Sequence, residues 1–145
     1  MIISTRIGRW LIIGAGLMLI TSSVGYTVVG IPGVMEHFGS SVNDYWQRRL
    51  YASQLLGTTA FAYTGLVTLI GAWMRTAFPA PGMRKARAVL LSASILPSAA
   101  SVMQLLLLTP EDAPHSIPFA LAALAIVIGL LLDRAPSGVN QRSDA

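Results

Sequence analysis

The residues of this chain able to do polar chemistry fall into two small sets. The first is a pair of histidines beside acids: Glu36 directly precedes His37, and Glu111 and Asp112 stand just ahead of His115. Imidazole next to carboxylate can bind zinc or copper, or exchange protons as an acid–base pair. The spacing contains no H-E-x-x-H or comparable ligand pattern, so His37 and His115 are the metal candidates and solvated loop positions are the bland alternative. The second set is Tyr26, Gln54 and Gln104, placed by helix counting at one depth, about a turn below the outer surface. A phenol and two amides there can hydrogen-bond one another, or line a shallow pocket for a lipid or quinone headgroup. Apart from such a bound lipid or quinone, no cofactor is expected.

Other chemistries are excluded. The chain has no cysteine, hence no disulfide, thiolate metal site, iron–sulfur cluster or thiol nucleophile. The nucleophile pattern G-x-S-x-G, the phosphate loop G-x-x-x-x-G-K-S and the EF-hand loop are absent, and no catalytic residue is assigned. The sequence leans away from an enzyme.

The elements that must position these residues follow from composition. Of 145 residues, 54% are hydrophobic and 11% charged, against about 25% charged in an ordinary soluble domain. Mean hydropathy is +0.64. The apolar residues come as four uninterrupted blocks, about 10–30, 50–74, 88–108 and 117–132, with no Asp, Glu, Lys, Arg or His inside any of them. Roughly 20 apolar residues cross a ~30 Å hydrocarbon layer. The expectation is an all-α polytopic membrane protein, a four-transmembrane-helix bundle over residues 1–133, with a polar cytoplasmic tail over 134–145. The first block doubles as an uncleaved signal anchor. Charge-free spans argue against ion-coupled transport and against an intramembrane porphyrin ligand.

Eight of the ten basic residues fall at the N-terminus, between blocks two and three, or in the tail; Arg48 and Arg49 precede block two. Positive residues favour the cytoplasmic side, so both termini are placed inside, N-in and C-in. Trp10 and Trp73 then sit at the inner headgroup level, and Tyr26, Tyr45, Trp46 and Tyr51 at the outer one. No basic stripe with interleaved aromatics exists and the basic residues lie at helix ends, which reads as topology and anionic-lipid contact rather than nucleic-acid binding.

Ile31-Pro32-Gly33 is expected to end the first helix, Ser41 to cap the second through its S-x-x-D pattern, and Pro97 to kink the third. The fourth block has 16 residues, about 24 Å of helix, so it needs an upright pose or a thinned bilayer. Small residues should carry helix packing: Ser53, Gly57, Ala60, Thr64, Thr68 and Gly71 share a face of helix two, and Gly14, Thr21 and Gly25 a face of helix one. Gly14, Gly25, Gly57, Thr64 and Gly71 are the packing positions chosen, either within the bundle or against a second protein.

The N-terminal arginines, Gly25-Tyr26, Gly30-Ile31-Pro32-Gly33 and the run Gly65-Leu66-Val67-Thr68-Leu69-Ile70-Gly71 resemble the small four-helix bacterial membrane proteins of the DoxX-like type. That resemblance covers helices one and two. It implies a four-helix bundle associated with other membrane or redox proteins, and carries over no functional residue. The expected function is a non-enzymatic accessory or assembly subunit docking on a larger complex of the bacterial inner membrane. Its partners would be membrane lipids and other membrane proteins, or a second copy. The alternative is a lipid- or quinone-interacting enzyme or carrier using the outer polar pocket.

Overall fold

All four apolar blocks are helical in the computed structural model, which describes residues 2–39, 43–77, 80–107 and 117–132. The tail over 134–145, and Glu111, Asp112 and His115, lie outside the described residues. Helix α1 covers Ile2–Gly25, passes into a π segment at Tyr26–Gly30, and continues as α2, Ile31–Gly39. Helices α3, Asp44–Ala77, α4, Ala80–Leu107, and α5, Ile117–Leu132, complete the chain. Three stretches are long and apolar enough to cross a membrane: Thr5–His37, Asp44–Arg75 and Lys85–Met103. Ile117–Leu132 is a shorter apolar helix.

Two expected helix ends are corrected. Ile31-Pro32-Gly33 does not stop the first helix, which runs on to Gly39. A proline ring in a helix clashes with the carbonyl four residues back and removes one donor. For Pro32 that carbonyl is on Val28, inside the π segment, where the turn is widened and the Ile31 N–H reaches back to the Tyr26 carbonyl oxygen. The wider turn takes up the proline without breaking the rod. At the start of α3 the cap is Asn43 rather than Ser41: its Oδ1 accepts from the Trp46 N–H at 3.1 Å. Its backbone carbonyl also accepts from Trp46 and Gln47, each at 3.0 Å. Asp44 is then in the first turn, where its charge complements the helix dipole.

Helix α1 packs against α3 and α5, and α4 packs against the same two, so α1 faces α4 across one diagonal and α3 faces α5 across the other. The inward face of α1 is Ile12, Ala15 and Leu19, at helical spacing; Ala72, Leu90, Ala122, Ile126 and Leu130 meet it in one core. Phe61 and Phe119 reach across the α3–α5 diagonal and stack, with ring centroids 4.2 Å apart. Their overlap fills space that the backbones leave.

The helices are held at close backbone approach, where small residues let many dispersion contacts form at once. It occurs at four glycines. A Cβ on Gly16 would lie 3.0 Å from the Gly65 carbonyl oxygen, and one on Gly65 would lie 2.7 Å from that of Gly16. Gly129 approaches the Gly8 carbonyl oxygen to 2.7 Å on the same measure, and Gly71 receives the Leu90 side chain at 2.8 Å. Buried hydroxyls are satisfied within their own helices: Thr64 donates to the Ala60 carbonyl, Thr68 to Thr64, and Ser101 to Pro97. The hydroxyls therefore fill the bundle without leaving unpaired donors in it.

These contacts fix direction. Gly16 meets Gly65 while Tyr26 meets Gln54, so α1 and α3 are antiparallel. Gly71 meets Leu90, and Gly129 meets Gly8. Arg6, Arg9, Arg75, Lys85 and Arg87 accordingly gather at one end of the bundle, and Arg48 and Arg49 lie at the other. Arg75 is 9% exposed and sits in the last turn of α3, where a cation complements the dipole.

Candidate functional site

Tyr26 is the first residue of the π segment. The widened turn lets its ring lie against the backbone of Gly30, a position where any Cβ would collide with it. So placed, the phenol points to α3 and donates to Gln54 Oε1 at 3.1 Å. Both residues are half-buried. Gln104 belongs to the last turn of α4, and its side chain lies outside the described ones. The described pair is a hydrogen bond that fastens the π segment to α3. The Gln54 carbonyl is engaged within the protein, and its NH2 remains the group with which a headgroup acceptor would bond.

The histidine set is not brought together within the described residues. Glu36 and His37 are exposed on α2, and no group of three or more His, Cys, Asp or Glu there could hold a metal ion.

The packing positions divide. Thr64 is 6% exposed and Gly71 meets Leu90. At Gly14, Gly25 and Gly57 an added Cβ would meet nothing within 4 Å. Gly14, Thr21 and Gly25 are all exposed and share one face of α1, turned away from α3 and α5. The reason is angular: α1 presents Ile12, Ala15, Gly16 and Leu19 inward, and at 100° per residue Gly14 falls well off that arc. Close contact inside the bundle uses Gly8, Gly16, Gly65 and Gly129 as well as Gly71. Gly129 carried a readable signal, since a glycine inside an unbroken run of large apolar residues weakens a helix by about 1 kcal/mol unless close packing offsets it.

Sequence reasoning placed Tyr45 and Trp46 at the outer headgroup level and Arg48 and Arg49 just ahead of block two without joining them. In the structure the Tyr45 and Trp46 rings meet edge to face, centroids 5.4 Å apart at 76°. The Arg49 guanidinium lies over both, 5.3 Å from the Tyr45 centroid and 5.7 Å from that of Trp46. The i, i+3 and i, i+4 spacing was the available signal.

No family model, curated protein or solved structure matches the chain.

Proposed function

We propose that this chain is an integral protein of the bacterial inner membrane with both termini cytoplasmic, and that it acts as a non-enzymatic accessory or assembly subunit docking on a larger membrane complex. The observation that carries the docking reading is the outward face of α1. Gly14, Thr21 and Gly25 are exposed there with open space at both glycines, and the Thr21 hydroxyl is satisfied by the Leu17 carbonyl at 2.9 Å. Small residues facing lipid leave a shallow groove in which acyl chains pack poorly and another helix packs well. The gathering of basic residues at one end of the bundle supports the orientation, and the exposed Leu17, Leu56, Leu66, Ile95 and Leu124 support a lipid surround. The resemblance of helices one and two to DoxX-like proteins agrees with a subunit role.

Purification in a mild detergent tests the reading. A partner membrane protein should co-purify in fixed stoichiometry from native membranes, and Gly14→Leu with Gly25→Leu should release it while leaving the bundle folded. Recovery of a lone monomer from native membranes would sink the proposal.

A second reading, a lipid- or quinone-interacting pocket at Tyr26, Gln54 and Gln104, is favoured by the outer depth of the Tyr26–Gln54 pair and by the π segment beside it, since such segments frequently accompany functional sites. A headgroup cross-linking to Gln54 or Gln104 in native membranes would raise it above the subunit reading.

A further inference from the structure

We infer that the outer end of α3 binds an anionic phospholipid, its phosphate held by Arg48 and Arg49 beside the Tyr45–Trp46 pair; the inference rests on the membrane reading above. The first support is geometric. The Arg49 guanidinium carbon lies 5.3 and 5.7 Å from the two ring centroids, a cation–π placement that uses none of its N–H donors in a hydrogen bond, and such a fork of donors suits a phosphate. Tyr45, Trp46, Arg48 and Arg49 are all exposed. Among the described residues neither arginine is engaged in a hydrogen bond or ion pair. The acid on the same stretch of helix is Asp44, one turn before Arg48 and exposed.

The second support is depth. With the exposed Trp73 at the inner headgroup level, about 20 residues of α3 cross the ~30 Å hydrocarbon layer and reach Ser53. Arg49 stands a further turn outward, about 6 Å, in a headgroup layer roughly 5–7 Å thick. That is the level of the phosphates. Leu56 and Tyr63 are exposed and continue the Arg49 face at seven-residue spacing to about the depth of one leaflet, offering a track for the acyl chain of the same lipid. This track commits the site to a lipid rather than to free phosphate. The third support is charge placement. Arg48 and Arg49 are the basic residues outside, against the positive-inside preference, and an anionic headgroup offsets that placement.

The test uses the full chain with Trp10→Phe and Trp73→Phe, which leaves Trp46 as the energy donor, reconstituted in phosphatidylcholine vesicles containing a small fraction of headgroup-dansylated phosphatidylethanolamine, an anionic acceptor. Transfer from Trp46 should exceed that of a random lipid distribution, and phosphatidylglycerol should compete about fivefold better than added phosphatidylcholine. Arg48→Gln with Arg49→Gln should return transfer to the random level. A matching protein that keeps Trp73 and lacks Trp46 should show unchanged transfer with the same arginine substitutions, which establishes that the bundle is intact. Equal competition by the two lipids, displacement by inorganic phosphate, or indifference to the double substitution in vesicle-floated protein overturns the lipid site alone. Failure of the protein to float with vesicles overturns the membrane reading together with it.

Discussion

Gly16 and Gly65 stand backbone to backbone where α1 crosses α3, each so placed that a Cβ on one would lie within 3.0 Å of the other's carbonyl oxygen. Neither helix can tolerate a methyl group there without separating from its neighbour. Separation forfeits many small dispersion contacts at once, because those contacts fall steeply with distance. Gly65→Ala should therefore destabilise the bundle by about 1–3 kcal/mol. Gly57→Ala, into open space, should be neutral or gain up to about 1 kcal/mol from helix propensity. Reversible unfolding by sodium dodecyl sulfate in mixed micelles compares the two, and equal midpoints would contradict the crossing.

Tyr26→Phe removes the donor of the 3.1 Å bond to Gln54. Hydrogen bonds between membrane helices average about 0.6 kcal/mol, with a maximum near 1.7. A double-mutant cycle of Tyr26→Phe and Gln54→Leu should return a coupling in that range. Zero coupling would mean that the phenol and amide are joined in name only.

The π segment is tied to Pro32. Pro32→Ala supplies a backbone N–H and removes the ring that crowds the Val28 carbonyl, so the turn over Tyr26–Gly30 should tighten to α-helix. Nuclear magnetic resonance in micelles would read this as a change of the Ile31 N–H acceptor from Tyr26 to Thr27. A persistent Tyr26 acceptor would assign the π turn to the Tyr26 ring packing on Gly30 rather than to the proline.

Phe61 and Phe119 link α3 and α5, which share no backbone contact, with ring planes 29° apart. Phe61→Leu and Phe119→Leu should each destabilise the bundle, and their cycle should show coupling of about 0.5–1.5 kcal/mol. Additive effects would show that each ring packs independently.

Orientation is tested by fusion. A cytoplasm-active reporter after Ala145 or inserted between Ala77 and Ala80, and a periplasm-active reporter between Gly39 and Ser41, should all be active under N-in, C-in. An external C-terminus with a cytoplasmic α3–α4 connection would show that Ile117–Leu132 lies in the interface rather than crossing.

The number and order of the helices were legible in the sequence, because a charge-free apolar block of about twenty residues has few ways to satisfy its backbone among apolar neighbours, and helix is the local one. Their ends were not, since the first helix runs from Ile2 through Pro32 to Gly39 and α4 begins at Ala80. The depth match of Tyr26 and Gln54 was legible for the same reason, since rise per residue is constant. Tertiary structure decided which glycines are used. Gly14 and Gly16 are chemically identical and two residues apart, yet Gly16 meets Gly65 and Gly14 faces out; a helix's rotation about its axis is set by the neighbours it packs on. The structure also decided that Pro32 is carried through the helix, because a proline breaks or bends a rod according to whether the preceding turn can widen. Likewise, the aromatic seat of Arg49 depends on rotamers that spacing permits but does not select.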